Sequence, residues 1–457
     1  MAIKQVTAVQ AMEEISKGKI ITASLNEMQG AWIALADCES GRVLTCAYSG
    51  ECQAAALFAK KDSGKVKNIT VDIMELNPNN AAVVRRYLKW TGPQAQGGKG
   101  ISIAFSDWLG CAGAYAAVPF KLRQARPVLV DYAAANADIL KRNFLEAVDT
   151  ATWGVLELGY KEGGYGANAA GLKTEEEIVK ALLYGYSMIG FDCSDKIDSK
   201  IEAMTSEEVA AKYNQLPEEF RDALKGSYLE ADFKAGGMVV HFEPEVLQRI
   251  VLEFGEAIMH IQYIYNTYLK NTPWEIDFEL KLAKPDKLMT PQELYFISNE
   301  LQRNGVKMAS MELDAEKAAA DEEGMHVYGE IAATFGYRLS LFNADLYISD
   351  IGSTAKALKG QVCFKAGNVL WLAALKVVKA GDAQLMEDMQ KFAGLPDFDG
   401  LKILPAGEAG CAWAKAYSKL LTPEAGFAGK IKEVLAANAD AYAEEVENTA
   451  AVMLKAL

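Results

Sequence analysis

Residues 164–198 read GYGANAAGLKTEEEIVKALLYGYSMIGFDCSDKID, and this stretch decides the fold. Gly164, Tyr165 and Gly166 turn the chain into a short run that ends at Lys173. Thr174 with Glu177 three residues on has the capping-box spacing that opens a helix. Ile178, Ala181, Leu182 and Gly185 then recur at helical spacing, and an apolar run, Met188–Phe191, leads into Asp192, Ser194, Asp195, Lys196 and Asp198. The stretch is one β-α-β unit. Polar, ionisable side chains just past the carboxyl end of a buried parallel strand are where α/β barrels keep their chemistry. No histidine stands there.

The pattern recurs. Apolar runs that stop at a polar group are Ile101–Phe105 (then Ser106 and Asp107), Pro127–Val130 (then Asp131), the segment after Tyr165 (Asn168, Lys173) and Ser187–Phe191 (then Asp192). Glu275–Leu282, Val306–Leu313, Tyr337–Leu341 and Gln361–Phe364 continue the series, with Glu279 and Lys281, Glu312, Asn343 and Asp345, and Lys365 as their polar groups. Helical patterns follow most of them, at Ala134–Leu158, Thr174–Gly185, Thr290–Asn304, Asp314–Phe335 and Ala366–Ala380. Strands alternating with helices predict a parallel sheet. Eight strands favour a closed (β/α)8 barrel, with an open doubly wound sheet as the alternative. No Gly-x-Gly-x-x-Gly turn follows the first strand to mark a dinucleotide fold.

At 457 residues the chain has the length of a barrel with additions. Residues 1–95 predict a small α+β region and 96–380 the barrel, with a charged helical insertion at about 196–271. Residues 381–457 predict a helical extension whose alanine-rich tail, Ala425–Leu457, packs on the barrel or on another subunit. The glycine-rich segment 92–100, GPQAQGGKG, reads as a flexible joint. A net charge of −14 argues against nucleic acid, which needs a basic footprint. No run reaches membrane-span length and the N-terminus lacks a signal-peptide core, so a cytoplasmic protein is expected. Seven scattered cysteines without a C-x-x-C pair fit a reducing compartment.

From about Ile101 to Met389 the chain resembles the tagaturonate epimerase family, bacterial metal-dependent enzymes that interconvert tagaturonate and fructuronate at C4. The resembling segments are DTATWGVLELGY (149–160), GYGANAAGLKT (164–174), FDCSDKID (191–198), LMTPQELYFISNELQRNGVK (288–307), YRLSLFNADLYIS (337–349) and VCFKAGNVLWLAALKV (362–377). The departures fall on the chemistry. For the family's Ala-Asp-His-Leu-Lys-Thr the chain has Ala169, Ala170, Gly171, Leu172, Lys173 and Thr174. For Ser-Asp-His-Val-Asp it has Ser194, Asp195, Lys196, Ile197 and Asp198, and at a third family histidine stands Phe342. An Asp-Glu pair survives as Glu279 beside Leu280, and a family arginine is Trp108. Lys365 is kept.

Imidazole nitrogen ligates zinc-like metals; glycine and phenylalanine have no lone pair, and a lysine adds positive charge where a cation should sit. Of the chain's three histidines, His241 at the end of a short strand and His260 in the insertion helix read as surface or packing residues, and His326 lies away from the expected active face. No cofactor is therefore expected, the alternative being magnesium or manganese held weakly by carboxylates drawn from Asp192, Asp195, Asp198, Glu279, Glu312 and Asp345. The candidate catalytic residues are Lys365, Lys173, Lys196 and Asp192, and the candidate substrate-binding residues are Asp107, Asn168, Glu279, Asn343 and Asp345. Lys365, with no acid beside it in sequence, is expected to have a lowered pKa, whereas Asp195 and Asp198 should raise that of Lys196. The aspartates have a plainer reading as turn and helix caps.

The resemblance and its departures leave three classes of function: an epimerase or isomerase with a carboxylate-bound metal, a lysine-dependent aldolase or lyase, and a barrel that binds a sugar acid or keto-sugar without chemistry. The third accounts best for a kept scaffold with replaced ligands. Expected partners are that small molecule and either a second copy of the chain or an active paralogue.

Overall fold

The computed structural model describes residues 3–121, 125–161, 163–399 and 407–457. Its centre is a closed barrel of eight parallel strands. They are β1 (Ile101–Phe105), β2 (Arg126–Ala133), β3 (Gly166–Leu172), β4 (Met188–Asp192), β5 (Asp277–Lys281), β6 (Ser310–Asp314), β7 (Arg338–Phe342) and β8 (Val362–Ala366). Neighbours in the chain are neighbours in the barrel, and β8 closes on β1 with Lys365 opposite Ala104. All eight apolar runs became strands, because a strand covered on both faces is apolar along its length and its first polar residue marks the exit.

Two expected helices are broken. Residues 134–158 form Ala134–Leu140 and Phe144–Leu158, separated by Lys141 at φ 49° and restarted by the Asn143 side chain, which accepts from Glu146 N. Likewise Ala315–Ala319 ends before Asp321 caps Glu322–Phe335. The Thr174–Glu177 capping box is formed as the spacing predicts.

The N-terminal residues form an antiparallel sheet in the order Lys19–Ile20, Ala31–Cys38, Gly41–Tyr48, Ile69–Met74 and Lys60–Val66. The joint at 92–100 is pinned rather than loose. Gln96 and Gly97 donate their backbone N–H groups to the Asp277 carboxylate at 2.6 and 2.9 Å, and Gln96 Nε2 donates to Pro127 O at 2.8 Å. Gly98 approaches Gly336 so closely that a Cβ would stand 2.7 Å from its carbonyl oxygen. Glycine here permits close packing under the barrel floor.

Between β4 and β5 the insertion holds helices Ser206–Tyr213 and Glu218–Tyr228, a short hairpin, and the long helix Pro244–Ile264. Leu247, Ile250, Val251, Phe254, Ile258 and Ile261 of that helix are buried, as their spacing requires. Lys284, just past β5, ties it down: its Nζ lies 2.7 Å from Glu253 and Glu293 and 2.8 Å from Glu202. Beyond β8, helix Val369–Gly381 packs against the terminal helix Ala439–Lys455, with Lys376 paired to Glu445 at 2.7 Å. The tail thus packs on the barrel. Among the described residues no helix is long and apolar enough to cross a membrane.

Removing the buried Lys284 would leave Glu253 and Glu293 without their cation, a loss of about 3–5 kcal/mol. Lys284→Ala should lower unfolding stability by that order in a urea titration, with Glu253→Gln recovering part of it.

Candidate functional site

The carboxyl ends of the strands gather a layer of charge inside the barrel. Lys365 of β8 is 1% exposed, and its ammonium donates to Glu279 of β5 and Glu312 of β6. Asp131 of β2 stands 3.9 Å away. Asn168 of β3 ties the carboxylates together, donating through Nδ2 to Asp131 Oδ1 and Glu279 Oε1 at 2.9 Å each. Ser310 Oγ donates to the other Glu279 oxygen at 3.0 Å. Nearer the rim Lys281 lies 3.2 Å from Glu312 and 3.9 Å from Asp192, with its ammonium over the Phe342 ring. A separate apolar cluster of Ala104, Val128, Met188 and Cys363 lies within the same barrel.

Burial pulls the Lys365 pKa down, but Glu279, Glu312 and Asp131 push it up by more, and it stands well above the ordinary lysine value. The lowered pKa expected from its sequence neighbours is overturned: the acids come from three other strands. Burial pushes Glu279 up, yet Lys365 holds it below the usual carboxylate range. Asp131 is different. Burial raises it to about 6, and the pull of Lys365 only partly offsets that. Asp345 is also raised by burial to about 6, against the hydrogen bonds from Asn368, whose N donates at 2.8 Å.

Above Lys365 and Asp131 opens a cavity of about 420 Å³. Ser106, Trp108, Asn136, Phe342, Asn343 and Asn368 line it, and residues Lys415, Tyr417 and Ser418 close one side.

Of the residues singled out from sequence, Lys365 and Asn343 line this cavity, Asn168, Glu279 and Glu312 join Lys365 in the buried network without lining it, and Asp345 lies behind Asn368. Asp107 does not serve it: its carboxylate accepts from the N–H groups of Gly110, Cys111 and Ala112 at 2.9–3.2 Å, capping the turn after β1. Lys173 is exposed beyond the end of β3. Lys196 sits on the rim, its pKa raised chiefly by a hydrogen bond to Glu256 rather than by Asp195 or Asp198. Asp198 caps a turn and pairs with Lys212 at 2.8 Å. Asp192 accepts from Ser194 N and Oγ at 3.0 and 2.6 Å, the capping role. Among the described residues no three histidine, cysteine, aspartate or glutamate side chains are grouped to hold a metal ion, so Asp195, Asp198 and Glu312 do not converge.

Four participants were not singled out. Asp131 and Lys281 carried the strand-end signal. Lys415 and Tyr417 lie in the helical tail, where nothing in sequence tied them to a barrel mouth.

Fold and mouth together define an α/β barrel whose charged groups meet at the carboxyl end of the strands, the active face of that architecture. The chain belongs to the tagaturonate epimerase family, which matches residues 21–400. That span begins inside the N-terminal sheet, well before the resembling segments. The tagaturonate/fructuronate epimerase of Thermotoga maritima is 25% identical over 365 residues, covering 77% of this chain and 74% of that protein. The native crystal structure of fructuronate-tagaturonate epimerase from Cohnella laeviribosi superposes with a TM-score of 0.85 at 24% identity over 99% of both chains. Its two-glycerol complex gives 0.86 at 23% identity, again over 99% of both chains. At that identity the likeness concerns the fold.

Two outcomes follow from the charges. Lys365→Ala would leave Glu279 buried without its counter-ion and Glu312 with Lys281 alone, and should cost about 3–5 kcal/mol. Manganese should raise the melting temperature of that variant and leave the parent's unchanged, read in a thermal shift assay. Asp131 has a folded pKa of about 6 against an ordinary 3.8, so between those values the folded chain holds a proton that the unfolded chain has lost. Its contribution to stability therefore falls as pH rises through that window. Asp131→Asn should flatten the decline between about pH 4 and 7 by roughly 1–3 kcal/mol in denaturation titrations, with Asp345 supplying part of what remains.

Proposed function

We propose that this member of the tagaturonate epimerase family binds a keto sugar acid at the barrel mouth with Lys365 in place of a divalent metal, and does not run the metal-dependent epimerisation. The burial of the Lys365 ammonium between Glu279 and Glu312 carries this reading. The resemblance implies histidine ligands where Gly171, Lys196 and Phe342 stand. Gly171 has no side chain, Lys196 is turned to Glu256, and Phe342 is 42% exposed beneath the Lys281 ammonium. No lone pair comes from these positions, and a divalent cation among the carboxylates would have to displace a lysine tethered to the barrel wall. The residues present do not fit the metal.

Lysine has three donors. Two are spent on Glu279 and Glu312, which leaves one for a ligand oxygen in the cavity. That suffices to orient a carbonyl or hydroxyl, but it cannot chelate two oxygens as a divalent ion does. Its firm protonation also opposes a Schiff-base role, which requires a free amine. Asp131, near neutrality in its pKa, supports a second reading in which the mouth moves a proton without a metal.

Tagaturonate and fructuronate should bind in calorimetry, and neither should be epimerised above background with or without added zinc, manganese or magnesium. One equivalent of metal per chain after dialysis, or metal-dependent turnover, would overturn the proposal. Turnover that persists in chelator and vanishes in Asp131→Asn would establish the second reading in its place.

A further inference from the structure

We infer that Lys415, carried into the mouth by the C-terminal extension, is the residue that selects an acidic sugar over a neutral one; this rests on the reading that the mouth takes a sugar ligand.

The floor of the cavity is a poor place for a carboxylate. Asp131 and Lys365 line it, and in the charged layer around them the acids Asp131, Glu279, Glu312 and Asp192 outnumber Lys365 and Lys281, both lysines lying within ion-pairing distance of those acids. A bound anion pushed to this depth would face uncompensated like charge. The lining above it is neutral, with Ser106, Asn136, Asn343 and Asn368 suited to hydroxyl groups. Lys415 is the remaining cation on the lining. The only hydrogen-bond partner of its ammonium among the described residues is the Tyr347 hydroxyl, at 3.0 Å, whose ring it also overlies, and Glu316 acts on it through charge attraction. Its charge is thus available in a way that of Lys365 is not.

The backbone that carries Lys415 is held firmly. Trp413, two residues earlier and fully buried, donates from Nε1 to Pro396 O at 2.8 Å, while its own carbonyl accepts from Trp371 Nε1 at 2.9 Å. Two residues later, Tyr417 stacks on Trp108 with ring centroids 3.6 Å apart and donates to Asn136 Oδ1 at 3.1 Å. Anchored on both sides, Lys415 is presented at the rim with little backbone freedom left to lose on binding. The cavity thus has a polarity, acceptors at the floor and a cation at the rim. A keto sugar acid fits it with hydroxyls inward and carboxylate toward Lys415.

The test is calorimetry with tagaturonate, fructuronate and the neutral ketohexoses fructose and tagatose on the parent, Lys415→Gln and Lys415→Arg. Lys415→Gln should weaken uronate binding about ten- to a hundredfold, the scale of one charge-assisted hydrogen bond, and change ketohexose binding less than about twofold. Lys415→Arg should restore most of the loss, and the salt dependence of uronate affinity should disappear with the charge. Equal loss for both ligand classes, or no loss for the uronates, overturns the assignment of Lys415 while leaving the sugar site standing. Failure of the parent to bind either class overturns the sugar-site reading and this inference with it.

Discussion

A lysine ammonium buried inside a parallel barrel is the constraint on which the mouth is built. Moving an ammonium or a carboxylate out of water costs several kcal/mol even after relaxation, so neither can sit in the layer alone. Glu279 and Glu312 neutralise Lys365, Asn168 spans Glu279 and Asp131, and Ser310 takes the remaining Glu279 oxygen. Each member satisfies another member's hydrogen bonds, and the six residues come from five strands, Ser310 and Glu312 sharing β6. The network therefore depends on strand register. A one-residue slip in β5 would turn Glu279 out of the barrel and bring the apolar Phe278 or Leu280 in.

The resemblance to metal-dependent enzymes gives this arrangement a physical meaning. A barrel that converges carboxylates from several strands needs a compensating cation, whether exchanged from solvent or attached to the chain. Under the proposed reading Lys365 is the attached kind, with Lys281 as a second positive charge at the rim. An attached cation cannot leave, has one charge rather than two, and keeps its hydrogen-bonding directions fixed by its own stem. In a metalloenzyme carboxylates of this kind hold the reactive centre, whereas here they keep a lysine charged.

The barrel was legible because parallel buried strands are local events in sequence: an apolar run, then a polar exit, as in Gln361–Phe364 followed by Lys365. The N-terminal sheet was less so. Its strand Ala31–Cys38, AWIALADC, is buried without a break from Ile33 to Ala36 and lacks alternation there, and alanine-rich composition does not announce a strand. Helix breaks hung on single residues, Lys141 in a left-handed turn and Asp321 as a cap, which a periodicity window averages away. At the site, sequence found which residues end strands but not how they pair. Lys365 meets partners 86 and 53 residues earlier, and no local reading of Phe364-Lys365-Ala366 could supply those acids. The same blindness assigned the charge partner of Lys196 to Asp195 and Asp198, where the fold supplies Glu256 from 60 residues on.

The part of the mouth least visible in sequence is also the part that gives it direction. The family match ends at residue 400, yet the wall that carries Lys415 and Tyr417 comes from beyond it. Its attachment is aromatic rather than ionic: Trp413 lies edge-on to Phe398, and Tyr417 lies flat on Trp108, where the resemblance places an arginine. Aromatic contacts fix position without adding charge. They leave the Lys415 ammonium with the Tyr347 hydroxyl as its one hydrogen-bond partner among the described residues. The positive charge that the extension brings thus stands on the cavity wall rather than among the acids inside the barrel. In the proposed reading the ligand's carboxylate follows it outward, and the protonated Lys365 below is left to hydroxyl and carbonyl oxygens.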